Sequence, residues 1–232
     1  MLSRPPWIRI PEEDRRIIDF LWDDARGLAQ REGVPGMPDE VLLRLSPRAA
    51  LALAVAVGEW IVWRFEGLDI RPDPLQVLQA GWCATVDPRA LLYGELRRTD
   101  WVGPVAGPLW STYTWLQHGL TRARQFPGDL HDSVRVLVRL ARHVVPAAAG
   151  FDAWLDAVGP RLLAGSPTPD RDPEEDLFDD DLDARLGPLV GPSLLDPASA
   201  HDPAGDRAFL EQQFDEARRE GNPLLAEPDA LA

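Results

Sequence analysis

The run from Ala49 to Trp63 constrains the fold of this chain more than any other stretch. It is apolar on nearly every face through Ala56, and its one charged residue is Glu59. A helix that is apolar all round belongs in the centre of a domain or in a membrane. The run is short for a membrane span, and a charge is costly there, so the sequence predicts a buried core helix over Pro47–Glu66.

Other segments have helical spacing or begin with Ser or Asp followed by Pro, which combines an N-cap with a first-turn proline. No segment alternates in the manner of a strand, so the predicted class is all-α. The expected architecture is an irregular bundle of about seven helices followed by an acidic, proline-rich C-terminal tail. The predicted helices are Pro11–Arg31, Pro38–Leu45, Pro47–Glu66, Pro74–Thr85, Pro88–Arg97, Pro108–Gln125, Asp129 to about Pro146, and Phe151–Leu163, with a turn at Trp101–Gly107.

Charge divides the chain near Ala164. Residues 1–163 hold 20 acidic and 19 basic side chains, whereas residues 164–232 hold 18 and 5. This predicts a helical globular domain over residues 1–164, an acidic Pro/Asp-rich linker over 165–205 and a C-terminal amphipathic helix with its tail over 206–232. The last helix, Asp206–Glu220, could either dock on the body or bind a partner.

Composition excludes several functions. No lysine is present among the 24 basic residues, so a P-loop, a Schiff base and a pyridoxal-phosphate site are excluded, and we expect no cofactor. The net charge of −14 disfavours nucleic acid as a partner. Arginine-only usage is typical of a GC-rich, bacterial genome. A single cysteine, Cys83, and the lack of a signal-peptide pattern predict a soluble cytoplasmic protein that does not bind membranes.

Nine tryptophans, all before Ala164, are the most unusual feature of the composition. Such residues either pack a core or line a groove for an apolar or proline-rich segment of a partner, and helical spacing favours the core. If they bind a partner, the candidates are Trp101, Trp110 and Trp115.

Two sets of polar residues could carry chemistry. Glu59 is a candidate buried charge, either in a structural ion pair, which we favour, or in a functional site. His118, His131 and Asp132 have the ligand types of helical metal-dependent hydrolases of the HD type. That similarity is weak, because Asp129–Asp132 is better explained as the beginning of a helix.

The segment Asp176–Leu186 places Phe178, Leu182 and Leu186 at intervals of four among aspartates. It could fold on a partner as an apolar ridge or remain a solvated linker, and composition is compatible with both. The sequence resembles no family that we recognise. It therefore predicts a non-catalytic bacterial protein-interaction module of adaptor, chaperone or immunity type, whose partner is another protein. The alternative is an all-helical metal-dependent hydrolase.

Overall fold

Helix α3, Pro47–Arg64, lies at the centre of the computed structural model, which describes residues 2–25, 37–122, 127–168 and 182–226. Ser46 caps it by accepting a hydrogen bond from the Ala49 N–H at 3.1 Å, as the Ser-Pro pattern predicts. Every residue from Arg48 to Arg64 is buried. The predicted core helix is therefore confirmed.

Helices make up 65% of the described residues, which contain no strand, so the all-α class is confirmed. Among the described residues, six helices are long and four are short. They are α1 Glu12–Arg16, α2 Asp39–Leu42, α3, α4 Asp73–Val86, α5 Gly103–Arg122, α6 Pro127–Val144, α7 Phe151–Gly165, α8 Leu182–Leu186, α9 Pro192–Leu195 and α10 Pro203–Arg219. Short 3₁₀ helices cover Pro88–Ala90, Arg98–Asp100 and Ala147–Ala149.

Four of the long helices meet at one end of the bundle, where α3 and α6 end and α4 and α5 begin. Arg64, the last residue of α3, donates through Nε to the carbonyl of Val144, the last residue of α6, at 3.0 Å. Arg71, just before α4, donates to the carbonyl of Asp100, just before α5, at 2.8 Å. We call this end, with residues 15–25, 65–73 and 98–103, the apical end.

At the opposite end, the buried Arg48 joins three segments. Its guanidinium donates to the carbonyls of Thr85 and Val86 at the end of α4 at 2.8 and 3.1 Å, and to that of Gly187 at 2.6 Å. A planar guanidinium can reach several carbonyls at once, so one side chain fixes α3, α4 and the segment after α8.

The C-terminal region packs on the body. The buried core includes Val190, Leu194, Leu195 and Leu210, together with residues of α3 to α7. The Trp154 indole N–H donates to the Leu195 carbonyl at 2.8 Å. Helix α10 therefore docks on its own chain, which decides between the two alternatives for the last helix. The division near Ala164 separates the chain by composition, whereas the core contains residues from both sides of it.

The predicted helix Pro11–Arg31 is wrong over most of its described length. Only Glu12–Arg16 is helical, and residues 17–25 form no helix. The Arg64 guanidinium donates hydrogen bonds to the carbonyls of Arg15 and Ile17. In a continuing helix, these carbonyls would accept hydrogen bonds from backbone N–H groups four residues later. Tertiary contacts outweigh the helical pattern here, because propensity is a weak preference.

Two further predictions are corrected. Pro88–Arg97 is helical only over Pro88–Ala90, because the Leu92 N–H donates to the Leu224 carbonyl and the Ala226 N–H to the Ala90 carbonyl. The predicted turn Trp101–Gly107 is largely helix, since α5 begins at Gly103. A proline is tolerated in the first turn of a helix, where the amide that it lacks would have no partner.

Candidate functional site: the apical end of the bundle

The tryptophans build the core rather than an exposed groove. Five of the nine are buried, and the other four are partly buried and pack against the core. Trp60 lies with its ring centroid 5.7 Å from that of Phe151 and 5.8 Å from that of Trp154. These distances are typical of packed aromatic pairs.

The three tryptophans proposed for partner binding expose little surface. Trp101 is 5% exposed, and the Arg71 guanidinium covers its ring at 3.6 Å from the centroid. Trp110 is partly buried and donates to the Leu96 carbonyl at 2.9 Å. Trp115 is also partly buried, with its ring 5.4 Å from that of His118. Trp101 thus packs beneath Arg71 at the apical end, whereas Trp115 lies in the second half of α5, towards the opposite end.

Glu59 is buried, as expected, but the structural ion pair that the sequence favoured is absent from the described residues. Its Oε1 accepts a hydrogen bond from the Trp82 indole N–H at 2.9 Å, and its Oε2 has no described partner. Burial raises the pKa of Glu59 to about 8, although the bond from Trp82 acts in the opposite direction. The side chain is therefore a neutral acid at pH 7, with no cavity leading to it among the described clefts.

The candidate metal ligands do not converge in the structure. His118 Nε2 lies 4.0 Å from an oxygen of Asp129, whereas Asp132 accepts a hydrogen bond from Arg135 at 2.6 Å. Within the described ranges, no group of three or more side chains is arranged to hold a metal ion. The geometry gives the hydrolase alternative no site, so we do not propose it.

The acidic segment is only partly described. Phe178 lies outside the described residues, and for Leu182 the structure describes the backbone, which begins α8, but not the side chain. Leu186 is buried, 6% exposed. It therefore contributes to the packing of this chain and is not available to a partner.

Exposed apolar side chains concentrate at the apical end. Of eight large hydrophobic side chains that the described residues expose, five lie there: Ile17, Leu21, Leu68, Ile70 and Val102. Ile70 is 97% exposed and Leu21 is 87% exposed. We call these five residues the apical apolar surface. Single exposed hydrophobic residues are common, and several at one end of a bundle are candidates for an interaction site.

Contacts between the apical loops keep this surface in place. His143 Nε2 lies 2.8 Å from the Leu21 carbonyl. The Gly103 N–H donates to the Asp24 carboxylate at 2.9 Å. Trp22 packs close to Gly107, where a Cβ would lie 2.1 Å from the indole nitrogen. The segment of residues 17–25, which exposes Ile17 and Leu21, is thus tied to α5 and α6.

A cleft with a volume of about 600 Å³ adjoins the apical apolar surface. Its apolar lining includes Leu2, Ile70, Pro72 and Leu75. At its far side, Gln79 donates to Glu220 at 3.2 Å and accepts from Asn222 at 3.0 Å. We call it the α4 cleft, because it follows the first turns of that helix.

The helical pattern of the sequence does not predict that these residues are exposed. Ile17 and Leu21 lie within the predicted helix Pro11–Arg31, which is wrong at these positions because the helix ends at Arg16. The available signal was the placement of Leu68 and Ile70 between Gly67 and Pro72, where a loop carries apolar residues. A loop lies on the surface, so its large apolar residues are candidates for contact with a partner.

Comparisons with models of protein families, with curated proteins and with solved structures give no match. No helix in the described part of the chain is long and apolar enough to cross a membrane. The functional assignment therefore depends on the surface itself.

Proposed function

We propose that this chain is a non-catalytic protein-interaction module that binds another protein through its apical apolar surface. The observation that best supports this proposal is that five exposed apolar side chains, including Ile70 at 97% exposure, lie at one end of the bundle. Covering such side chains is favourable by roughly 25 cal/mol per Å² of apolar area removed from water. A partner that buried this end would gain that free energy.

The packing of the interior supports the same proposal. Glu59, the candidate buried charge, is 1% exposed, and Cys83, the single cysteine, is 0% exposed. Burial raises the pKa of the Cys83 thiol to about 12, so the reactive thiolate is not formed at neutral pH. Neither side chain can reach a substrate in this structure, and the exposed apical end is the surface best suited to recognition.

Site-specific photo-cross-linking tests the proposal. A benzophenone amino acid replaces either Leu21 or Ile70 at the apical end, or Leu43 near the opposite end, and the chain is irradiated in cells. We expect the two apical positions to give a shared adduct of defined mass that the Leu43 position does not give. Leu43 is a matched control because it is also an exposed leucine, at 55%. No adduct from the apical positions, or the same adduct from all three, would contradict the proposal.

A further inference from the structure

A cavity with a volume of about 110 Å³ lies between the end of α3, the beginning of α4 and the first half of α5. Most of its lining is apolar and comes from Val62, Trp63, Phe65, Pro74, Leu75 and Leu109. All of these residues except Leu75 are buried. The α4 cleft adjoins the cavity, because Gly67, Asp69, Arg71 and Leu75 line both. An apolar cavity of about 150 Å³ in another protein binds benzene, so a space of this order admits one small ring.

Trp63 supplies this cavity with a hydrogen-bond donor. The residue is 8% exposed, and its indole nitrogen is buried without an acceptor in the described part of the chain. Trp110, by contrast, donates to the Leu96 carbonyl at 2.9 Å. A buried N–H that has lost its bond to water is unfavourable until an acceptor replaces the water. A ligand that brings an acceptor atom into the cavity would therefore gain a hydrogen bond from Trp63.

The charged side chains that line the cavity are already paired. Arg71 Nε donates to the two carboxylate oxygens of Asp69 at 2.9 and 3.1 Å. This hydrogen bond lowers the pKa of the Asp69 carboxyl and raises the pKa of the Arg71 guanidinium. Glu66 accepts hydrogen bonds from Arg4, at 3.0 Å, and from Arg15. An ionic ligand would lose its hydration here and meet no unpaired charge in the described lining, so the cavity favours a neutral molecule.

From these observations we infer that the cavity binds a small neutral molecule with an apolar ring and one acceptor oxygen. The ring packs against Phe65 and Leu109, and the oxygen accepts the hydrogen bond of the Trp63 indole. A mainly apolar cavity with a single polar group that orients the ligand is typical of small-molecule sites. Small cyclic ketones belong to this class, whereas carboxylates, phosphates and amines do not. The inference goes beyond the proposed function, because this site needs no partner protein.

Heteronuclear magnetic resonance of the full chain tests the inference with cyclohexanone as the probe. The indole resonance of Trp63 is assigned by triple-resonance experiments on the parent chain. Cyclohexanone should move the indole proton of Trp63 downfield in a saturable manner, because a hydrogen bond to it forms. Methylenecyclohexane has the same shape but no acceptor oxygen, and it should not cause this downfield shift. The indole proton of Trp110, which already has an acceptor, should not move with either probe.

Two matched variants complete the test. Trp63→Phe keeps an aromatic ring and removes the donor, so it should weaken the binding of cyclohexanone about fivefold relative to methylenecyclohexane. Trp110→Phe makes the same change outside the cavity lining and should bind both probes as the parent chain does. Saturation-transfer titrations measure these affinities.

Three results would overturn the inference: no shift of the Trp63 resonance, the same shift with both probes, or unchanged selectivity in Trp63→Phe. If Trp63→Phe fails to fold, the two probes on the parent chain still decide the question. The experiment contains no partner protein, so its failure would leave the proposed function untouched.

Discussion

The Trp82 indole N–H donates a hydrogen bond of 2.9 Å to Oε1 of Glu59 and joins α4 to α3 inside the core. Both residues are 1% exposed. A carboxyl group in this position is neutral at neutral pH, because ionising it would place a charge where neither water nor a cation compensates it. At neutral pH, the carboxyl group of Glu59 is thus protonated in the folded chain and ionised in the unfolded chain.

Replacing Glu59 with Gln should make the folded chain less sensitive to pH. The pKa of Glu59 is about 8 in the folded chain against the ordinary 4.5, so the folded state holds a proton that the unfolded state releases between these values. The contribution of this proton to the free energy of unfolding is therefore complete below pH 4.5. It decreases by about 1.4 kcal/mol per pH unit as the pH rises to about 8. Glu59→Gln removes this slope and should raise the free energy of unfolding at pH 7.5.

Urea unfolding at pH 5.5 and 7.5 measures this effect, with Glu211→Gln, an exposed substitution on α10, as control. The control should keep the parent's slope. An unchanged slope in Glu59→Gln would mean that Glu59 is charged in the folded chain and has a partner that the structure does not show.

Leu53→Asp should destabilise the chain by about 4 kcal/mol or more, because Leu53 is 0% exposed on α3 and an unpaired charge would enter the core. Leu43→Asp makes the same chemical change at a residue that is 55% exposed and should shift stability by less than about 0.5 kcal/mol. Thermal unfolding of both variants measures the difference. Equal melting temperatures would refute the central position of α3.

Arg48→Lys should cost about 2 kcal/mol, because one ammonium cannot replace the guanidinium bonds to Thr85, Val86 and Gly187 and leaves buried carbonyls unpaired. Arg44→Lys, at an exposed arginine four residues earlier, is the control and should be nearly neutral. Chemical denaturation gives both values. If Arg48→Lys is also neutral, the three segments are held together by packing alone.

A chain that ends at Ala164 should lose cooperative unfolding. Composition predicts that this body folds independently, but truncation would remove Leu195, which accepts the Trp154 indole bond, and Phe209, whose ring centroid lies 5.6 Å from that of Trp82. Near-ultraviolet circular dichroism and binding of a hydrophobic dye would report the exposed core. A native spectrum with a sharp transition would show that residues 1–164 are a complete domain.

The sequence predicts the long helices that apolar periodicity marks, including α3, α4, α6, α7 and α10. It fails where contacts distant in sequence decide the backbone. Ile17 and Leu21 fit the apolar stripe of a helix. However, Arg64, which lies 47 residues after Ile17, donates a hydrogen bond to the Ile17 carbonyl, and the helix does not continue. Likewise, Leu92 is not helical, because its N–H donates to the Leu224 carbonyl, and no local pattern around Pro88 contains that information.

The candidate site was harder to predict than the fold. Tryptophan content favours Trp101, Trp110 and Trp115 as binding residues. Arg71 lies over the Trp101 ring and Arg98 over the Trp110 ring, and Trp115 packs against the core. The exposed residues that form the surface, such as Leu68 and Ile70, are ordinary in the sequence. They become notable only because α3, α4, α5 and α6 bring their loops to one end.

The binding affinity for the partner that the apical positions cross-link tests the central claim most directly. Calorimetric titration would compare the parent chain with Leu21→Asp, Ile70→Asp and the control Leu43→Asp. We predict that each apical substitution weakens binding on the order of tenfold or more, because it removes an apolar contact and leaves a charge in the interface, whereas Leu43→Asp binds as the parent does. Full affinity in both apical variants, or an equal loss in all three, would contradict the assignment of the apical end as the binding surface.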